Sequence, residues 1–216
     1  MQITLNQRTK AWYQHRRNYI NASEIASITK LDPFRSVHQL IHDKLFGTTF
    51  SSNKYTEHGV KMEPIARQFF INKTKLNFTD TIFTDDKEKI FSASLDGYNE
   101  THKIVLEIKC PYLKEDNSPS STWTQFLQLK TEASIPKYYW AQIQCQLYCS
   151  EAQFAYFLVY FNDTDFHVVR VKPNPTYFKK MIQMSREYLQ LLNEARTELN
   201  NTSLVKKLSK FYKEQH

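Results

Sequence analysis

Phe91-Ser92-Ala93-Ser94-Leu95-Asp96-Gly97, followed after a polar excursion by Ile104-Val105-Leu106-Glu107-Ile108-Lys109-Cys110-Pro111, is the stretch on which the fold of this chain turns. The second segment is a run of β-branched and aliphatic residues, and side chains along a strand alternate faces. Glu107 and Lys109 therefore share a face with Val105, while Ile104, Leu106 and Ile108 occupy the other. Asp96 closes the first apolar segment, next to a turn written Gly97-Tyr98-Asn99-Glu100. If the segments are neighbouring strands, two carboxylates and an amine converge at one point.

The spacing alone favours a solvated Glu and Lys beside a tight Asp-Gly turn. Two features favour chemistry. Glu107 and Lys109 lie in an otherwise apolar strand, where unpaired charge is costly unless a metal or partner receives it. Glu63, on an upstream helix, offers a third carboxylate. Hard oxygen ligands of this kind hold Mg²⁺ against a phosphate oxygen, and a nearby lysine orients or deprotonates water or offsets developing charge.

The chain has 216 residues, enough for one domain with a real core, and only three glycines and seven prolines, with no linker-like tract. A formal charge of +7 favours a polyanionic partner such as nucleic acid. Three cysteines, Cys110, Cys145 and Cys149, form no disulfide framework or zinc spacing, which predicts a reducing compartment. No stretch has the length of a signal peptide core or membrane span, so the expectation is a soluble intracellular protein without membrane contact.

Working outward, residues 9–17 read as a short helix capped by Thr9 and anchored by Trp12, and Asn21 or Ser23 starts a second whose free N–H groups face an anion beside Arg16 and Arg17. Residues 36–46 are helical up to Gly47, residues 48–56 form a loop, and residues 57–75 are helical with Pro64 in the first turn and Val60, Ile65, Phe69 and Phe70 apolar. Strands at 77–83, 89–93 and 103–109 suggest an antiparallel meander. A helix opened by Pro136 brings Gln142 near the sheet, residues 152–161 and 166–171 form a hairpin, and the chain is helical from Pro175 to a tail with four lysines, Lys206, Lys207, Lys210 and Lys213. The expected fold is α/β, a central mixed sheet flanked by helices.

Trp12-Tyr13-Gln14-His15-Arg16 leading to Asn21-Ala22-Ser23, then Gly59-Val60-Lys61-Met62-Glu63, Ser94-Leu95-Asp96-Gly97, Leu106-Glu107-Ile108-Lys109-Cys110-Pro111 and Tyr139-Trp140-Ala141-Gln142 resemble, in unbroken order, the YqaJ-type viral recombinase family. That family includes the phage lambda exonuclease and has a restriction-endonuclease-like core. Leu95 stands where the family commonly has Pro, and Asn21 where it often has Thr. The resemblance implies that Asp96, Glu107 and the Ile108 carbonyl bind Mg²⁺, or Mn²⁺ in its place, that Glu63 adds a carboxylate, and that Lys109 serves the attacking water. It further implies a 5′-phosphate pocket of Arg16, Ser23 and Ser94, with Gln142 near the catalytic centre.

The expected function is a Mg²⁺-dependent 5′→3′ exonuclease acting on double-stranded DNA ends, in a trimeric ring, feeding an annealing protein or recombinase. The expected organisation is a single nuclease domain over residues 1–216, with a helical extension from about residue 175. The rivals are an endonuclease or single-strand nuclease of the same fold and a non-catalytic DNA-binding module.

Overall fold

The computed structural model describes residues 1–47, 53–115 and 118–201. Residues 48–52 of the expected loop and the lysine-rich tail lie outside the described residues. In chain order the elements are β1 (Gln2–Ile3), α1 (Lys10–Asn18), β2 (Ile20–Asn21), α2 (Ile25–Ile28), α3 (Val37–Phe46), α4 (Lys54–Thr74), β3 (Thr79–Thr84), β4 (Phe91–Asn99), β5 (Ile104–Lys109), α5 (Thr124–Leu129), α6 (Lys137–Ser150), β6 (Phe154–Tyr160), β7 (Phe166–Val171) and α7 (Pro175–Asn201).

The sheet runs β1-β3-β4-β5-β6-β7, with β2 pairing parallel to the start of β4. β3, β4 and β5 form the expected antiparallel meander and β6–β7 the expected hairpin, while β5–β6 is parallel and makes the sheet mixed. Each sheet face is covered. Phe91, Ala93, Leu95, Val105, Phe157 and Val159 pack with Ile25, Ile143, Cys145, Met181 and Tyr188 of α2, α6 and α7. On the opposite face Ile104, Leu106, Ile108 and Leu158 pack with Ala66 and Phe70 of α4. The period-two reading of β5 is thus realised, one stripe on each core.

Three local expectations are corrected. The Asp96-Gly97 pair is not a turn; β4 runs on through Tyr98 and Asn99. The β3 register steps from Thr81↔Leu95 to Thr79↔Tyr98, which puts one extra residue into β4 at Asp96-Gly97, a β-bulge that re-aims side chains. Pro64 is not in a first turn, because Asn53 caps α4 earlier, its Oδ1 accepting the Tyr55 and Thr56 N–H groups at 3.0 Å. Glu63 is therefore mid-helix, with no first-turn dipole to meet, and the apolar Val60 and Ile65 are exposed. Finally, Ala22–Glu24 is a 3-10 turn leading into the four-residue α2, too short to offer Ser23 a substantial helix dipole.

The bulge explains the glycine. A Cβ on Gly97 would stand 3.0 Å from Phe78 Cβ and 3.2 Å from Leu106 Cβ, both buried in the α4-facing core. Gly97→Ala is expected to destabilise the fold by about 1–3 kcal/mol through overpacking. Urea denaturation measures this, and an unchanged midpoint would show that the bulge accommodates a methyl group.

Candidate active site

β4 meets two strands on the β5 side of the sheet, but never along its whole length. β2 pairs only with Phe91 and Ser92, and β5 only with Gly97, Tyr98 and Asn99. The residues between, 93–96, face a gap in which side chains replace strand pairing. There the Ile108 N–H donates to Asp96 Oδ2 at 2.8 Å. Glu107, fully buried, points to the α6 side of the sheet, as its place beside Val105 predicts.

The Glu107 carboxylate is surrounded by donors. Lys109 Nζ reaches its Oε1 at 2.5 Å, Gln142 Nε2 the same oxygen at 2.8 Å, and Gln146 Nε2 reaches Oε2 at 2.5 Å. Gln142 and Gln146 lie one turn apart on α6, so one helix face supplies both amides. The Lys109 ammonium also lies 4.9 Å from the Tyr139 ring centroid. Burial works against its charge, but the Glu107 and Asp96 carboxylates outweigh that and hold the ammonium above its ordinary range. Asp96 is shifted the other way: burial first, and then the neighbouring Glu107 charge, raise its carboxyl well above the usual range.

Asp96, Ile108, Lys109 and Glu63 line one cavity of about 530 Å³. Each Glu63 oxygen is held by an arginine, Oε2 by Arg8 at 2.6 Å and Oε1 by Arg67 at 2.8 Å. Among the described residues no group of three His, Cys, Asp or Glu side chains is arranged to hold a metal ion. The donor set nevertheless fits a hard divalent cation. The half-buried Asp96 carboxylate lines the cavity, Ile108 lies beside it, and the fully buried Glu107 stands one residue from Ile108; burial first, and then the Glu107 charge, raise the Asp96 carboxyl. Water and phosphate oxygens would complete such a shell.

The expected phosphate-pocket residues are brought together through Trp12. Arg16 Nη2 donates to Ser23 Oγ at 3.0 Å, and the Arg16 guanidinium lies 4.6 Å from the centroid of the Trp12 ring. Trp12 Nε1 in turn donates to Ser94 Oγ at 2.8 Å. His15 Nε2 and Ser92 Oγ, 2.9 Å apart, make a second tie between α1 and β4. Partial burial lowers the Arg16 guanidinium's pKa, and the nearby Glu24 charge works against that shift.

Sequence reading missed four side chains that shape this site: Gln146, Arg8, Arg67 and Lys44. Gln146 had a signal, the four-residue spacing from Gln142 on a helix. Lys44 had none, since its partners are distant in sequence: its Nζ donates to the Arg16 and Tyr19 carbonyls at 3.1 and 2.9 Å and pairs with Glu24 Oε2 at 3.0 Å. Glu24 also accepts the Asn21 N–H at 2.9 Å, so this buried pair fixes the turn that presents Ser23.

The family match and the likeness to a solved exonuclease support a nuclease. The chain belongs to the YqaJ-like viral recombinase domain family, which residues 11–153 match. Among solved structures it is similar to an alkaline exonuclease from Laribacter hongkongensis, at 26% identity and a TM-score of 0.70, covering 94% of this chain and 100% of that one. The same exonuclease has been solved in complex with dAMP. A phage-related exonuclease from Haemophilus somnus 129PT shares the fold, at 16% identity and a TM-score of 0.64, covering 84% of this chain and 96% of that one. Uncharacterized protein R354 of Acanthamoeba polyphaga mimivirus is 28% identical over 158 residues, 67% of this chain but 27% of that protein, so the chain spans about a quarter of that relative's length. Family and structural neighbours indicate a phage-type exonuclease. Among the described residues no helix is long and apolar enough to cross a membrane.

Lys44→Met strands the Glu24 carboxylate in the interior and is expected to cost about 3–5 kcal/mol in denaturation experiments. Adding Glu24→Gln should recover part of that loss, because the neutral amide still accepts the Asn21 N–H. A loss below about 1 kcal/mol for the single variant would mean the pair is solvated.

Proposed function

We propose that this chain is a Mg²⁺-dependent 5′→3′ exonuclease that degrades one strand of linear double-stranded DNA and leaves 3′ single-stranded overhangs for recombination. The observation that carries this reading is the fully buried Glu107 carboxylate bonded to Lys109, which lines a cavity together with Asp96 and Ile108. Asp96, Glu107 and the Ile108 carbonyl would hold the cation. Mg²⁺, or Mn²⁺ in its place, supplies Lewis acidity and an acidified water when bound. Glu63 would join that set only by releasing Arg8 or Arg67.

The side chains have separable tasks. Lys109, held protonated by two carboxylates, acts as a donor that orients water or offsets charge on the phosphoryl oxygens. Gln142 shares the Glu107 oxygen that Lys109 uses, which keeps the lysine and carboxylate aligned. Arg16, Ser23 and Ser94 would receive a terminal 5′-phosphate, the guanidinium giving a charge-assisted contact and the hydroxyls neutral ones. Crystallisation of the Laribacter exonuclease with dAMP fits a site that accepts a nucleoside monophosphate. We assign residues 1–216 to one nuclease domain with α7 as its helical extension, acting as a ring of three copies with an annealing protein or recombinase as partner. Sedimentation as a monomer at working concentration would remove the ring.

Lys109→Ala is expected to bind DNA and scarcely cut it, as read by Mg²⁺-dependent digestion of 5′-phosphorylated linear duplex beside a binding assay. Equal cutting by both forms would refute the role given to Lys109. Arg16→Ala should erase most of the preference for 5′-phosphate over 5′-hydroxyl ends, and an unchanged preference would move the pocket elsewhere.

A further inference from the structure

Gln146 is a fully buried polar side chain in the centre of the molecule. Its Nε2 donates to Glu107 Oε2 at 2.5 Å and faces the Ser94 carbonyl at 3.4 Å. Its Oε1, equally buried, has no hydrogen-bond partner among the described residues. A side chain placed only to fill this space would be apolar, since an orphaned buried oxygen costs stability. The amide is therefore oriented by what its nitrogen does. On one side that nitrogen holds a carboxylate of the cutting centre. On the other it meets the residue whose hydroxyl accepts from Trp12, the ring against which Arg16 lies. Glu107, Gln146, Ser94, Trp12, Arg16 and Ser23 form one unbroken series of contacts from the cutting centre to the phosphate pocket.

We propose that Gln146 is a positioning residue that fixes Glu107 and ties it to the strand segment bearing Ser94, so that occupancy of the end-recognition pocket is coupled to the geometry of the cutting centre. The proposal rests on the nuclease reading above and deepens it. It assigns Gln146 no contact with substrate. Its effect is on where Glu107 stands and on how the two sites respond to each other.

Gln146→Met keeps the length and removes the donor, and Gln146→Asn keeps an amide that is one methylene short. For each variant and the wild type, three quantities are measured. They are Mg²⁺ affinity by calorimetry without DNA, single-turnover cutting of linear duplex with 5′-phosphate or 5′-hydroxyl ends, and KM for the duplex. For Gln146→Met the Mg²⁺ dissociation constant should rise about 10–100-fold. The ratio of cutting rates for phosphate over hydroxyl ends should fall about fivefold or more, with KM unchanged. Gln146→Asn should fall between Met and wild type on both readouts. A Met variant that melts earlier yet keeps the wild-type Mg²⁺ affinity and the wild-type ratio would show that Gln146 merely fills the core, and the proposal would be overturned. If the Met variant does not fold, Gln146→Asn decides on the same two readouts. A wild type that cuts no duplex would instead overturn the nuclease reading, while the calorimetry still decides whether Gln146 positions Glu107.

Discussion

The structure depends on one carboxylate that cannot be left alone. Glu107 is completely buried between the sheet and α6, and an unpaired carboxylate there would cost several kcal/mol. Three donors relieve it, one from β5 itself and two from α6. α6 must therefore dock in a single rotation and height against the sheet, with Gln142 and Gln146 inward. The apolar residues flanking them, Ala141, Ile143, Cys145 and Leu147, supply the hydrophobic part of that docking. Packing holds the helix on the sheet, and the hydrogen bonds set its register.

The same constraint explains the incomplete pairing of β4. A strand bonded to a full-length neighbour would leave no room for side chains to approach its backbone. β4 instead shares its edge between β2 and β5, and the bulge at Asp96-Gly97 turns the Asp96 carboxylate onto the Ile108 N–H. A backbone donor that would otherwise need a strand partner is satisfied by a side chain. Two carboxylates thereby come to neighbouring positions, and burial, followed by the Glu107 charge, raises the Asp96 carboxyl. Gly97 makes this possible, because Phe78 and Leu106 already occupy the space a side chain would need.

Much of this was legible in the sequence, for local reasons. The alternation along β5, the Thr9 cap, the Gly47 stop and the β6–β7 hairpin depend on neighbouring residues, and each was read correctly. Asp96-Gly97 misled because turn chemistry and bulge chemistry use the same residues. Only the close approach of Phe78, nineteen positions upstream of Gly97, distinguishes them. Pro64 misled because an asparagine eleven residues earlier starts the helix. In the site, Asp96, Glu107 and Lys109 announced themselves as charges in apolar strands. Arg8 and Lys44 did not, since an arginine or a lysine is an ordinary surface residue until a distant partner is known.

The placement of α1 refers the proposed phosphate pocket to β4. None of its residues is buried, so hydrophobic contact does little to fix it. What orients it is polar and directional: Trp12 to Ser94, His15 to Ser92, and the Arg16 carbonyl to Lys44 of α3. Two of these three contacts end on β4, the strand that also bears Asp96. A helix held by greasy packing could slide by fractions of an ångström with little cost, whereas hydrogen bonds weaken steeply with angle and length. Arg16 is thus positioned relative to the same backbone that positions the Asp96 carboxylate. Ser94 stands two residues from Asp96, so distance along one strand sets the separation between the place where a DNA end would be recognised and the place where it would be cut.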